Sequence, residues 1–291
     1  MTPSRTGIAC CLVLALARAA TAQVANINLT ITSAASFQVA VPAKGSIAAI
    51  FCTGLTHLTG LSVASGAPLP YELDGVQVWV GGAPAPIFAV GGFDGFQLVN
   101  VQIPLEAQWE SSPQGQFATV RLVSVEGTGE TRAFLSTTPG DFFQFPDGTG
   151  IFRHAADYSL VTPDNPAHAG EFVVGYLTGL PGAIPLVPTG QRAPWAPFST
   201  VPQSQIGTAA GYDRYFVTFN GTRATPTFLG LNPGNIGVYE VDVAVPPTSS
   251  SGVVEVTLLH EWCATFFGSC LDGRGLSSGQ MASSQVKIPV R

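Results

Sequence analysis

The four histidines and five cysteines are the residues of this 291-residue chain best suited to acid–base, nucleophilic or metal chemistry. His57, His154, His168 and His260 stand too far apart in sequence for any two to share a helical turn as paired metal ligands. His260-Glu261 opens like the zinc-protease pattern H-E-x-x-H, but residue 264 is Ala and the segment leads out of an alternating strand pattern. The glycine-rich stretch 91–95 lacks the Lys and helix that complete a phosphate-binding loop, so turns explain it. A secreted hydrolase would require His168 or His260 to meet a carboxylate and a nucleophile in space. Calcium takes about six to eight oxygens. Asp147-Gly148, Asp157, Asp164 and Asn165 offer too few clustered carboxylates and read as Asx turns. No metal or cofactor is expected.

Aromatic side chains make the better functional lead. Trp195 and Phe198 lie in the Pro-spaced run A-P-W-A-P-F, and Trp262, Phe266 and Phe267 lie in or beside the segment bracketed by Cys263 and Cys270. If both segments meet at one end of a domain, their flat rings form an apolar platform for a sugar face or a protein partner. The plainer and preferred reading is that they cap the core or pack against a neighbouring domain, because large aromatics bury most of their surface. A Cys263–Cys270 disulfide would close a short loop and contribute about 2.5 kcal/mol in the chain-entropy model. Cys52, at the end of the apolar run Ile47–Phe51, then stands alone and reads as a small buried hydrophobe.

The N-terminus supplies a compartment. Arg5 precedes the apolar run Ile8–Ala17, and Ala20-Thr21-Ala22 forms an A-x-A cleavage site, so residues 1–22 read as a signal peptide and the mature chain as exported. The apolar run is too short for a bilayer span, and none is expected in the mature chain. Cys10 and Cys11 fall within the leader. Its removal takes Arg5 and Arg18 but no acid, moving the formal charge from −6 to −8. With that balance and no basic run, nucleic acid and anionic lipid are discounted as partners. Only 10% of residues are charged, against roughly 25% in an ordinary soluble protein, while Gly and Pro number 33 and 23. Few charges, many turns and many Val, Thr and Phe indicate an all-β chain.

The elements that must position these residues occur twice. G-F-Q-L-V-N-V-Q-I-P (95–104) and G-V-Y-E-V-D-V-A-V-P (237–246) share their Gly, their Pro and an alternating aliphatic face, with Asn100, Gln102, Glu240 and Asp242 turned the other way. Gly45 and Gly54 bracket an apolar strand whose second copy lies between Gly170 and Gly179. Gly81-Gly82 and Asn220-Gly221 occupy matching hairpin positions where a type I′ turn demands positive φ. Pro104 and Pro246 mark strand ends, since proline cannot donate to a ladder. Short strands separated by Gly/Pro turns read as two β-sandwiches, over 23–137 and 167–291. A structured connection spans 138–166, where Phe142, Phe143, Phe145, Ile151 and Phe152 should pack. The second copy has long inserts at 181–211 and 261–283, where a sandwich would place function.

Several of these segments resemble one secreted bacterial family. S-A-A-S-F (33–37), Pro42–Leu55, Gly82–Phe88, Val99–Pro104 and Tyr158–Ala167 follow, in order, the pattern of the Solibacter-type C-terminal domain family, with Cys52 where that pattern has Gly and Gly54 where it has Asn. Gly170–Leu180 and Gly237–Pro246 extend the likeness, which covers about 33–291. The resemblance implies tandem immunoglobulin-like domains of the IPT/TIG type in a secreted setting, and it implies no activity. The Trp195 insert and the cysteine-bracketed loop are not part of that pattern. The expectation is therefore an exported, non-enzymatic protein with a structural or adhesive role and another extracellular protein as partner. The alternative is a carbohydrate-binding module that holds a polysaccharide through Trp195, Phe198, Trp262 and Phe266.

Overall fold

A computed structural model describes residues 27–180, 182–202, 204–208, 211–263 and 278–291. Residues 1–22, expected to be a signal peptide, lie outside this set, as do Phe266 and Cys270. Among the described residues all regular structure is strand, and no helix is long and apolar enough to cross a membrane.

The first half carries β1 (Asn28–Ser33), β2 (Ile47–Thr53), β3 (Leu61–Val63), β4 (Glu72–Leu73), β5 (Val76–Val80) and β6 (Ala83–Ala85). It continues with β7 (Ile87–Phe93), β8 (Phe96–Gln102), β9 (Glu110–Ser112), β10 (Gly115–Ser124) and β11 (Gly127–Phe134). One sheet runs β1-β2-β8-β7-β3, and the other runs β11-β10-β5-β4, with β6 beside β5 and β9 beside β10. The second half carries β12 (Asp141–Phe142), β13 (Phe152–His154), β14 (Phe172–Thr178), β15 (Ser204–Thr208), β16 (Gly211–Phe219) and β17 (Thr222–Ala224). Then follow β18 (Phe228–Leu231), β19 (Tyr239–Ala244), β20 (Gly252–Cys263), β21 (Ser278–Ala282) and β22 (Val286–Val290). Its sheets run β12-β14-β19-β18, with β13 beside β14, and β15-β16-β20-β21, with β17 beside β16 and β22 beside β20.

Each pair of sheets closes on its own core, giving two tandem immunoglobulin-like β-sandwiches. The repeated strand is central in both. β8 lies between β2 and β7, and β19 between β14 and β18. Val99, Val101 and Ile103 are fully buried in one core, and Val241, Val243 and Val245 in the other. Each such side chain contributes about 1.5–3 kcal/mol on burial, so a one-residue slip that turned them outward is strongly disfavoured. The glycine corners repeat in conformation as well as sequence. Gly45 and Gly170 have φ of 83° and 88°, and Gly54 and Gly179 of 101° and 97°. Both hairpins use the expected left-handed pairs, Gly81-Gly82 (55°, 77°) and Asn220-Gly221 (46°, 81°).

Two boundaries differ from the sequence reading. The segment 138–166 is not a separate connection: Phe142 and Phe152 are buried in the second core, their ring centroids 5.2 Å apart. Gly175 makes room for them, because a Cβ there would lie 2.5 Å from the Phe152 ring. The segment 261–283 is not wholly a loop either. The described part is the β20–β21 hairpin, with Trp262 opposite Gly279 and Cys263 opposite Ser278. Strand pairing continued because Leu258 to Cys263 keeps an extended pattern past the point where the first copy turns.

Buried polar contacts join the two sandwiches. The Ile47 amide donates to Thr178 Oγ1 at 2.9 Å, and that hydroxyl donates to the Gly237 carbonyl at 2.7 Å. The Gly190 amide donates to Gln102 Oε1 at 2.6 Å, and Gln102 Nε2 donates to the Gly45 carbonyl at 3.0 Å. Gly237 packs so closely that a Cβ on it would lie 2.8 Å from the Gly45 carbonyl oxygen. Gln102, which points away from the aliphatic face of β8, is thus buried in the junction instead of facing solvent.

Candidate functional site

The insert after β14 builds a groove on the outer face of the second sandwich. Residues 199–201 run along β18: the Leu231 amide donates to the Ser199 carbonyl at 2.8 Å, and the Val201 amide to the Leu229 carbonyl at 2.9 Å. Gly230 permits this approach, since a Cβ there would sit 2.5 Å from the Ser199 carbonyl oxygen. Farther back, the Ala193 amide donates to the Asn235 carbonyl and the Gly234 amide to the Ala193 carbonyl, at 2.8 and 2.9 Å. The insert is therefore pinned at both ends, and residues 194–198 project over the sheet between the pins.

Trp195 and Phe198 occupy that projecting stretch, exposed at 73% and 51%. The expectation that these rings cap the core is overturned. The backbone of the insert, rather than its aromatics, meets the edge of β18, which leaves the rings to solvent. Trp195 lies against Gly234, where a Cβ would be 3.4 Å from the indole. Phe198 meets Phe228 edge-on, with centroids 5.9 Å apart. Tyr158, more than half exposed, lines the same groove, which encloses about 780 Å³.

The floor is polar. Glu240 and Asp242 stand two residues apart on β19 and so project from one face of the sheet. Glu240 accepts from Asn232 Nδ2. Asp242 Oδ1 is buried without a hydrogen-bond partner. Burial, with Glu240 beside it, pushes the Asp242 carboxyl up to about 6. The one cation lining the groove among the described residues, Arg192, donates from Nη1 to the Gly234 carbonyl at 3.1 Å. Aromatic walls over a carboxylate- and amide-bearing floor suit a ligand with flat apolar faces and hydrogen-bonding edges.

Trp195 and Phe198 share the groove, but Trp262 does not join them. Trp262 lies on β20, in the opposite sheet, half-buried beside His260 and against Gly279, where a Cβ would lie 2.1 Å from the indole. A strand holds it there, so it cannot join Trp195. Phe266 lies outside the described residues. The Cys263–Cys270 pairing also falls outside them, because Cys270 does, and no disulfide is present among the described residues. Cys52 is buried and free, its thiol pushed up to about 12 by burial. Tyr158, Phe228, Asn232, Glu240 and Asp242 were missed as site residues. The outward phase of Glu240 and Asp242 on β19 was the one signal available for them.

Three of the four histidines make local side-chain pairs. His57 Nδ1 meets Glu126 at 2.8 Å, while its Nε2 faces the Asp74 carbonyl at 2.8 Å. His154 Nδ1 meets Glu171 at 2.9 Å. His260 pairs with Asp213 and stacks on Tyr215 with centroids 4.4 Å apart, and no Ser, Thr or Cys among the described residues hydrogen-bonds to it. Gly275–Gly279 reads G-L-S-S-G, formally a G-x-S-x-G nucleophile motif, but it leads into β21 where the motif needs a helix, and Ser277 lies outside the described residues. Asp147 and Asp157 accept from the Thr149 and Ser159 amides, each at 2.9 Å, as Asx turns do.

No protein-family model and no curated protein matches the chain. Among solved structures it is similar to the titin Z1Z2 domains in complex with telethonin, at 11% identity over 91% of this chain and 97% of that one, with a TM-score of 0.17. It is likewise similar to the C-terminal domain of the Streptococcus pyogenes antigen I/II-family protein AspA, at 9% identity over 91% and 99%, TM-score 0.19. The C-terminal domain of the Streptococcus agalactiae AgI/II polypeptide BspA gives 10% identity over 91% and 100%, TM-score 0.17. Likenesses at this level do not bear on function.

Proposed function

We propose that the chain is an exported, non-enzymatic interaction protein and that the groove over β18 and β19 is its binding site for a polysaccharide. Export rests on the signal-peptide pattern at 1–22, and membership of the Solibacter-type family, with IPT/TIG-type domains, on the sequence motifs. The observation that carries the binding reading is the exposure of Trp195, 73%, on an insert whose two ends are pinned by backbone hydrogen bonds. An indole held this way presents a preformed flat face, so little ordering entropy opposes stacking on a sugar ring. Asn232, Glu240 and Asp242 then supply acceptors and donors for hydroxyl groups at the floor.

A second reading, adhesion to another extracellular protein, is favoured by a different surface. Phe37, Phe51, Phe96 and Phe93 form a ladder on the first sandwich with successive centroids 6.3, 5.9 and 5.3 Å apart, and all but Phe51 are well exposed. The two readings separate in a retention screen of purified residues 23–291 against insoluble polysaccharides, with Trp195→Ala and Phe96→Ser alongside. Retention on a polysaccharide that Trp195→Ala abolishes, at unchanged melting temperature, is the expected result. Retention that survives Trp195→Ala would remove the groove from the account.

A further inference from the structure

The groove's floor is more acidic than recognition of neutral hydroxyls requires. Two carboxylates, Glu240 and Asp242, share one face of β19, and neither has an ion-pair partner among the described residues. The nearby cations hydrogen-bond to backbone carbonyls rather than to these carboxylates. Arg192 donates to the Gly234 carbonyl, and Arg153 Nη1 donates to the Tyr158 carbonyl at 2.6 Å. Asp242 sits between Val174 and Phe228, the register partners on β14 and β18, so its carboxyl is flanked by apolar side chains and one oxygen has no donor. That arrangement is unfavourable in the empty protein, because a partly buried carboxylate is neither paired nor fully hydrated. Glu240 alone would serve a neutral sugar, since its oxygen already organises Asn232. Asp242 has no such task within the fold.

A positively charged group would satisfy both features at once. An ammonium carries donors for the Asp242 and Glu240 carboxylates that line the groove, and aromatic faces attract cations through the ring quadrupole. Resting on the carbohydrate reading above, we infer that the ligand is an amino sugar polymer bearing free amines. The indole of Trp195 stacks on a pyranose face, and one ammonium enters the floor between Asp242 and Glu240. The repeated strand supplies an internal control. The residues of β8 equivalent to Glu240 and Asp242 are Leu98 and Asn100, so the negative pair belongs to the second copy alone.

The test compares oligosaccharides of β-1,4-linked glucosamine with the N-acetylated oligosaccharides of equal length, by calorimetric titration of the full mature chain at pH 6.5. The free-amine series is expected to bind at least about tenfold more tightly, the equivalent of one charge-assisted hydrogen bond. Asp242→Asn and, independently, Glu240→Gln should remove most of that preference. Trp195→Ala should weaken both series. Equal affinity for the two series, still lost in Trp195→Ala, would overturn the amine assignment and leave the carbohydrate site standing. Binding of the amine series that ignores Trp195→Ala and vanishes with added salt would mean diffuse attraction to an acidic protein, and would overturn it too. If neither series binds while another polysaccharide is retained through Trp195, the amine inference fails alone. If no polysaccharide is retained at all, both fail.

Discussion

The outer faces of β8 and β19 are built on one backbone plan and present opposite chemistries. Both strands are central, both turn Val-rich faces inward, and both end at a proline. Outward, β8 and its neighbours show Leu98, Asn100 and a phenylalanine ladder, with the short edge strand β3 beyond. β19 shows Glu240 and Asp242, and the edge is taken by the 199–201 segment of an insert that also carries Trp195 and Phe198 over the face. The inner faces also diverge. Ile50 fills the first core at the position where the second has Gly175, and the freed space holds Phe142 and Phe152. The repeat thus conserves strand phase and turn geometry, which the backbone demands. It leaves each copy free to solve packing and surface chemistry in its own way.

The largest expected effect breaks the comparison at the cores. Phe152→Ala should cost about 3–5 kcal/mol and Gly175→Ala about 1–3 kcal/mol, read by urea unfolding, because the first leaves a cavity and the second overpacks the ring. A loss below about 1 kcal/mol for Phe152→Ala would mean that 138–166 does not help hold the second core together. Next comes the outer face. Trp195→Ala should cost about 2 kcal/mol of ligand binding, as an exposed anchor does, and leave unfolding free energy within about 0.5 kcal/mol.

Asp242→Asn sharpens the comparison by installing the amide found in β8. The folded protein holds the Asp242 proton up to about 6, above the ordinary value of about 3.9, so it binds more protons than the unfolded chain between these values. Stability from this group therefore falls as pH rises through that interval. The carboxyl is only partly buried and is screened by solvent, so Asp242→Asn should stabilise the protein by only about 1 kcal/mol at pH 7, and by nothing near pH 3. Melting temperatures at the two pH values check the sign.

The smallest effect falls on the His57–Glu126 pair of the first sandwich. Burial disfavours the charged His57 ring, but the Glu126 carboxylate and the Asp74 carbonyl outweigh it and raise its pKa. Burial likewise opposes ionised Glu126, yet hydrogen bonds from His57 and Ser124 pull it down to about 2. The pair's stabilisation is complete above the ordinary Glu value of about 4.3 and below the ordinary His value of about 6.5. It is lost as pH rises through the raised His57 pKa, or falls through the lowered Glu126 one. Glu126→Gln should cost less than about 1 kcal/mol at pH 5.5, and less still at pH 9. An equal cost at both would contradict the charged pairing.

Most of the fold was legible because it rests on short-range steric rules. Period-two alternation placed the strands, and Gly81-Gly82 and Asn220-Gly221 announced their turns through positive φ. What stayed hidden depends on contacts distant in sequence. Gly175 announced nothing about Phe152, and Gly230 nothing about Ser199, since a glycine does not reveal what approaches it. Trp195 was identified as a functional lead but expected to be buried, because a mean tendency of aromatics cannot see that the insert's backbone occupies the sheet edge. Trp262 was grouped with it through proximity to cysteines, yet strand continuation carried it to the opposite sheet. Glu240 and Asp242 were known to face outward, but not that an aromatic wall stood over them.

The most direct test of the central claim, that the second sandwich alone carries the glycan-binding face, uses the chain's four tryptophans as reporters. Trp79 and Trp109 mark the first sandwich, Trp195 the groove and Trp262 the opposite sheet, so their indole N–H signals in a nitrogen–proton correlation spectrum report separately. Adding a soluble oligosaccharide of whichever polysaccharide retains the protein should move the Trp195 signal, with amides of β18, β19 and 232–235, and leave Trp79, Trp109 and Trp262 in place. Shifts centred on Trp79, on Trp262 or on the phenylalanine ladder, with Trp195 unmoved, would contradict the account.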